Sequence, residues 1–204
     1  TPIASSKLFA ETLLQRKGLD PRQITSSLEK IIQEQNRLNE LVEKILLVST
    51  IDEMHNDMHL KPISIHLLID QIIENTSNSH KLINSVPKDL IVNGDDFYFI
   101  SLFQNLLDNA QKYSPDGSEI NFYLKENPIK NIICISDQGI GISDKEKSKI
   151  FDRFYRIEDE ETRNSKGTGL GLFLVNQIIK IHGGKIYCKD NSPNGAIFEI
   201  HLKK

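Results

Sequence analysis

Asn131-Ile132-Ile133-Cys134-Ile135-Ser136-Asp137-Gln138-Gly139-Ile140-Gly141 is the stretch that decides the fold: an apolar run of strand length stops at an aspartate and turns on two glycines. A short continuous apolar run closed by a glycine turn reads as a strand. The aspartate therefore stands at a strand end, and the glycine pair lets backbone approach a flat ligand or a phosphate closely. A carboxylate at that rim accepts a hydrogen bond from an amine. A plain glycine turn with an aspartate cap has the same local pattern.

Working outward, strands are expected near Lys61 to Ile65, Asp89 to Val92, Glu119 to Lys125, Asn131 to Ser136, Lys185 to Lys189 and Ala196 to Leu202. Between them, apolar residues recurring at three and four predict helices over His66 to Asn84, Phe97 to Tyr113 and Leu170 to His182. The last two strands flank Asp190-Asn191-Ser192-Pro193-Asn194-Gly195, which reads as a hairpin loop. This alternation implies an α/β two-layer sandwich, one mixed sheet covered by helices.

The N-terminal part has a different texture. Ile3, Phe9, Ala10, Leu13 and Leu14 fit one helical stripe, and Lys17-Gly18-Leu19-Asp20-Pro21 holds a stop followed by a start signal. A second helix carries Ile24, Leu28, Ile31, Leu38, Val42 and Ile45 in a heptad-like seam to about Ile51. The organisation expected is a helical hairpin over 1–52, a linker over 53–60 and the α/β domain over 61–204. A hairpin has one apolar face and nothing of its own to cover it. A second copy would complete a dimeric four-helix bundle, and the rest of the same chain is the other possible cover.

Composition narrows the function. The 204 residues carry 25 basic and 28 acidic side chains, a net charge of -3, which argues against a chain built mainly to grip nucleic acid or an anionic membrane. Apolar runs such as Ile45 to Val48 fall far short of the roughly 20 residues that span a bilayer, and no signal-peptide pattern opens the chain. Cys134 and Cys188, the only 2 cysteines, sit in strand-like stretches and read as reduced core thiols, which suggests the cytoplasm. Residue 1 is Thr rather than Met, so the chain is expected to be a piece of a longer protein.

Two further patterns carry chemistry. Gly167-Thr168-Gly169-Leu170-Gly171-Leu172 precedes an amphipathic helix, placing exposed N–H groups and the positive end of a helix dipole beside flexible backbone, an arrangement suited to phosphate. It lacks the Gly-Lys-Ser/Thr ending of a P-loop. Neither glycine cluster has a glycine at the third position of the G-x-G-x-x-G spacing that a dinucleotide fingerprint or a protein-kinase glycine loop requires. Within the helix Phe97 to Tyr113, Asn105 and Asn109 lie one turn apart on one face, followed by Lys112 and Tyr113. An amide oxygen is a competent ligand for Mg²⁺, whose remaining shell is water and substrate phosphate. A solvated polar face would look the same.

Taken together, these stretches resemble the bacterial sensor histidine kinases, with their GHKL-type (Bergerat-type) ATP-binding fold shared with DNA gyrase and its relatives. Asn105 to Pro115 looks like the family's N box, Asp137 to Gly141 like its first glycine box, Ile150 to Arg156 like its F box and Gly167 to Leu172 like its second glycine box, in the family's order and with His182-Gly183-Gly184 closing the next helix. The resemblance implies that Asp137 accepts the adenine amine, that Asn109 coordinates Mg²⁺, and that Lys112 and Arg156 meet the phosphates. It implies that Tyr113 packs near adenine, that Gly139 and Gly141 shape that pocket, and that Gly167, Thr168, Gly169, Leu170 and Gly171 close over the triphosphate. The polar run Arg156 to Lys166 reads as a lid.

The hydrolytic relatives place a water-activating glutamate where this chain has Asn105, and a neutral amide is no useful general base near pH 7. The implied reaction is therefore γ-phosphoryl transfer from ATP to a histidine, with Asn105 orienting the reacting groups, and onward to an aspartate of a response-regulator receiver domain. The alternative is an ATP-binding signalling module acting mainly as phosphatase or scaffold. The family's acceptor lies in a His-acid-two residues-Thr-Pro motif, so it is expected just upstream of Thr1-Pro2, and Thr1 matches the position that helps dephosphorylate the regulator. The uncovered apolar seam predicts a homodimer through 1–52, and the resemblance implies a membrane anchor elsewhere in the full-length protein. Asn194-Gly195-Ala196 is an imperfect match to the family's third glycine motif, standing where Gly-Ser or Gly-Thr is usual, and simple hairpin geometry would look the same. His55 and His59 lack a third metal ligand at proper spacing; His66, His80 and His201 read as surface or interface residues, and a cationic His182 would suit its helix end.

Overall fold

The computed structural model describes residues 2–16, 18, 20–53, 60–76, 79–157 and 168–204. The chain divides into two units, Thr1–Ser49 and Thr50–Lys204. In the first, α1 (Pro2–Gln15) is followed by α2 (Pro21–Glu53). Asp20 opens α2 by accepting the Arg22 N–H on its side chain at 3.2 Å, and Lys30 of α2 lies over the Phe9 ring of α1 at 5.3 Å. Ile24, Leu28, Val42 and Ile45 of the expected seam are exposed within this single chain. Among the described residues, every buried apolar side chain lies in the second unit.

That unit runs β1 (Lys61–Ser64), α3 (Ile65–Glu74), β2 (Lys81–Ser85), β3 (Ile91–Gly94), α4 (Asp96–Tyr113), β4 (Glu119–Lys125), β5 (Lys130–Ser136), a 3-10 turn (Lys149–Phe151), α5 (Gly171–Ile181), β6 (Lys185–Asp190) and β7 (Ala196–Lys203). One sheet has the order β2-β4-β5-β7-β6, and β1 pairs with β3 in a small second sheet. Among the described strands, only β2 and β4 pair in parallel; the other neighbours are antiparallel.

Alternation along the strands creates the two faces. Phe122, Ile135, Phe198 and Cys188 form one row across the sheet, and this face takes the helices: Phe103 of α4 meets Phe122 edge-on at 6.3 Å, and Phe151 meets Phe198 at 6.4 Å. Tyr123, Cys134, Glu199 and Tyr187 form the adjoining row on the other face. There Glu199 is held by Lys125 at 2.7 Å and faces His201 at 3.4 Å. The α/β sandwich of helices on a mixed sheet is thus present. Burial pushes the Cys134 thiol up to about 11 and Cys188 up to about 12, so both are inert core groups.

The helix expected over His66 to Asn84 is two elements. α3 stops at Glu74, where the Asn75 N–H returns to Ile73, and Lys81–Ser85 is an edge strand in register with Glu119–Tyr123. Polar residues that favour turns interrupt the apolar stripe, and Leu82-Ile83 is too short a signal to separate strand from helix without its distant partner. The strand expected from Asp89 begins at Ile91, because Leu90 N–H turns back to Pro87. Two caps fix the helix starts: Ser64 accepts from Leu67 N–H at 3.4 Å and Asp95 from Phe97 N–H at 3.0 Å.

Candidate functional site

β5 delivers Asp137 to the rim of the sheet, where it is 5% exposed. Its Oδ1 accepts the Gly139 N–H at 2.9 Å and the Ala196 N–H at 3.1 Å. Neither bond uses Oδ2, which keeps its lone pairs for another donor. Its own N–H donates to the Ala196 carbonyl at 3.0 Å, and its carbonyl accepts from Asn191 Nδ2 at 2.7 Å. Burial raises the pKa of Asp137 above the usual carboxylate value, opposed by the two N–H donors. The charge is thus desolvated and oriented, which strengthens any further hydrogen bond it accepts.

The glycines around it permit close approach. A Cβ on Gly139 would collide with the Tyr113 carbonyl oxygen, and one on Gly195 with the Asp137 carbonyl. The Tyr113 carbonyl also accepts the Ile140 N–H at 3.3 Å, docking the loop onto the C-terminal end of α4. Gly141 has φ +74°, and a Cβ there would lie 3.3 Å from the Gly195 oxygen.

α4 and α5 meet at a second cluster. Asn105 is buried, its Nδ2 donates to the Ser101 carbonyl at 2.7 Å, and a Cβ on Gly171 would come within 3.0 Å of its Oδ1. Asn109, half-buried, follows one turn later. α5 opens at Leu170 without a side-chain cap, so the amides of its first turn have no intrahelical partners and present positive charge outward. Just before it, the Leu170 N–H donates to Thr168 Oγ1 at 3.3 Å. Gly169, at φ +69°, accepts the Phe154 N–H at 3.0 Å. Phe154 itself has φ +65°, the one left-handed non-glycine among the described residues.

Geometry therefore gathers Asp137, Gly139, Gly141 and the Tyr113 end of α4 at one place, and Asn105, Gly169, Leu170 and Gly171 at another along the same helix. Lys112 is exposed and folds back on its neighbour, 2.9 Å from the Tyr113 hydroxyl. Arg156 is exposed beyond Tyr155, whose hydroxyl bonds Glu146. Thr1, Gly167, His55, His59 and the run 158–166 lie outside the described residues.

A family model described as "Histidine kinase-, DNA gyrase B-, and HSP90-like ATPase" matches residues 94–204. The chain belongs to that ATPase family. Its relatives include the sensor protein kinase WalK of Staphylococcus aureus, 32% identical over 208 residues, covering 99% of this chain and 50% of WalK. The chain thus spans about half the length of that relative. Among solved structures, a mycobacterial sensor histidine kinase, MprB, is 30% identical with a TM-score of 0.62, covering 71% of this chain and 97% of the other. Full-length ShkA in complex with AMPPNP has a TM-score of 0.72 at 19% identity over 100% of this chain and 47% of that one, a likeness of fold. The chain is of the bacterial sensor histidine kinase type, with a GHKL ATP-binding domain.

Within this ATPase-family domain, the β6–β7 turn is more than hairpin geometry. Asn191, Gly195 and Ala196 all touch Asp137, and the glycine just before an apolar strand was the one sequence signal of it. The expectation of a cationic His182 is overturned. Its Nδ1–H donates to the Ile178 carbonyl at 2.7 Å, its Nε2 accepts the Asp95 N–H at 3.2 Å, and burial lowers its pKa, so the ring is neutral. It stacks on Phe99 at 4.6 Å and joins the end of α5 to the cap of α4. His80 is likewise buried rather than superficial, with Nδ1 2.8 Å from Ser79 Oγ and Nε2 3.3 Å from the Ser114 carbonyl oxygen.

Proposed function

We propose that this chain is the ATP-binding and phosphotransfer core of a two-component sensor histidine kinase. Its product would be a phosphohistidine just upstream of Thr1, and the phosphoryl group would pass on to an aspartate of a response-regulator receiver domain. The observation that carries the reading is the Asp137 carboxylate: buried, fixed through Oδ1, and able to accept through Oδ2. The exocyclic amine of adenine is a donor of the right kind, with Gly139 and Gly141 leaving room for a flat base and Tyr113 beside it.

The uncapped first turn of α5 would face the phosphates, with Thr168, Gly169, Leu170 and Gly171 forming its approach. Lys112 and Arg156 would swing to the phosphates from their exposed positions. The donor set also fits a hard cation: the half-buried amide of Asn109 would hold Mg²⁺ together with phosphate oxygens and water. When bound, Mg²⁺ neutralises charge on the phosphates.

Asn105 favours transfer over hydrolysis. A neutral amide tied to Ser101 and wedged against Gly171 takes no proton from water, but it can orient what lies beside it. In the transfer, the terminal P–O bond to ADP breaks as a P–N bond to imidazole forms. A hairpin over 1–52, leaving its apolar residues exposed in one chain, supports a homodimer in which two hairpins form a four-helix bundle. The linker 53–60 would join it to the catalytic domain 61–204. No helix among the described residues is long and apolar enough to cross a membrane, and we place this piece on the cytoplasmic side of a membrane-anchored sensor.

Titration calorimetry with ATP and Mg²⁺, run beside an assay for free phosphate, tests the reading. Saturable binding with negligible steady release is expected. Absence of binding overturns the nucleotide site, and sustained phosphate release would group the chain with the hydrolytic members of its family.

A further inference from the structure

Lys147 lies outside every motif named so far, yet its ammonium joins two carboxylates from different elements. Its Nζ is 2.6 Å from Asp144 Oδ1 and 2.7 Å from Asp190 Oδ2. The lysine side chain is 17% exposed, whereas Asp144 and Asp190 are 91% and 71% exposed. The lysine stem is thus covered while its ammonium meets two exposed carboxylates, which fixes where the head sits more firmly than in a pair of freely moving side chains.

The two arms differ in what they reach. Asp144 belongs to the same loop as Lys147, whose backbone turns on the Ser143 carbonyl through Glu146 N–H at 2.9 Å and Lys147 N–H at 3.2 Å. Asp190 is the last residue of β6 and the register partner of Ala196. Ala196 gives Asp137 Oδ1 one of its two N–H donors, and Asn191, next after Asp190, holds the Asp137 carbonyl. The Asn191 N–H also closes the turn on the Gly195 carbonyl at 3.0 Å. The loop after Asp137 therefore approaches the β6–β7 turn closely at Gly141, where a Cβ would lie 3.3 Å from the Gly195 oxygen, and is tied to the end of β6 where Lys147 meets Asp190. Without the ammonium, Asp144 and Asp190 are like charges converging on one point, and that tie opens.

We propose that Lys147 is a positioning residue for adenine recognition, bridging the loop after Gly141 to the end of β6 and so holding Asn191 and Ala196 against Asp137. This rests on the reading of the Asp137 pocket as an ATP site. Lys147 touches no base itself; it acts through the orientation of the Asp137 carboxylate. Its loss selectively weakens nucleotides that offer an amine to Oδ2.

The test is titration of the intact chain and of Lys147→Met with ATP and with ITP, whose base carries oxygen in place of that amine, both with Mg²⁺. Lys147→Met is expected to lower ATP affinity about three- to fivefold and to leave ITP within about twofold, so the ATP-to-ITP preference shrinks. Lys147→Arg, which keeps the cation, is expected to retain the preference. Should Lys147→Met fail to fold, Asp190→Ala removes the β6 arm while keeping the Asp144 pair, and is expected to shrink the preference in the same way. Asp144→Asn leaves the β6 arm in place and is expected to keep the preference. An unchanged ATP-to-ITP preference in the folded Lys147→Met or Asp190→Ala chain, whatever its melting temperature, makes the bridge merely structural and overturns the proposal. A parent chain that fails to bind ATP overturns the nucleotide reading itself, which is a separate result.

Discussion

Asp137→Asn separates recognition from folding. The amide oxygen can keep both bonds now made to Oδ1, from Gly139 N–H at 2.9 Å and Ala196 N–H at 3.1 Å. What changes is Oδ2, which becomes an NH₂ group and confronts the adenine amine with a donor. Losing a hydrogen bond to a charged group costs about 1.5–3 kcal/mol, or about one to two decades of ATP affinity. Stability should move the other way or not at all. The native pKa of Asp137 is raised by burial, so at neutral pH the ionised group carries a desolvation cost in the folded state that it escapes in the unfolded chain. The neutral amide removes that cost. Calorimetric titration with ATP and Mg²⁺ reads the first effect and differential scanning calorimetry the second. ATP affinity within twofold of the parent would refute the adenine contact, and a collapsed melting temperature would refute the division of labour between Oδ1 and Oδ2.

Other outcomes follow from the same geometry. Gly195→Ala forces a Cβ into the Asp137 carbonyl at a residue with φ +116° and should cost about 2 kcal/mol or more in urea unfolding. Gly117→Ala, at φ +79° with nothing within 4 Å, should cost only about 1 kcal/mol of backbone strain by the same measurement. His182 titrates below its usual 6.5 in the fold, so both states are neutral at high pH. As pH falls through 6.5 the unfolded chain takes a proton the fold refuses, and stability declines towards the lower native value. In melting curves between about pH 7.5 and 5.5, His182→Gln, which can still donate to Ile178 and accept from Asp95, should show a shallower decline than the parent. The exposed seam of Ile24, Leu28, Val42 and Ile45 predicts a dimer by light scattering at micromolar concentration, and a monomer would remove the four-helix bundle.

The elements carrying the candidate site were legible where contiguous residues write them. β5 announces itself by an unbroken apolar run ending at Asp137, and α4 by a long stripe on which Asn105 and Asn109 share a face. The β2 strand was not legible. Its five residues pair in parallel with β4, reached only after a whole helix, and its apolar pair continues the periodicity of α3. The β6–β7 hairpin itself was legible, but the same distance hid its docking on Asp137: Asn191 and Ala196 meet that residue across 54 and 59 residues of sequence. The charge state of His182 depends on Asp95, 87 residues away, so position at a helix end suggested the wrong protonation state. Local pattern reports element type and the residues of a single turn; which turn closes on which is decided by pairing across the sheet.

Phosphate chemistry on the protein bears most directly on the function. A chain extended upstream of Thr1 to include the expected histidine is incubated with γ-labelled ATP and Mg²⁺, and the bound label is challenged with acid and with base. Acid-labile, base-stable label on that histidine is predicted. A chain that binds ATP but takes no label, or one whose label survives acid, would contradict the assignment as a histidine kinase core.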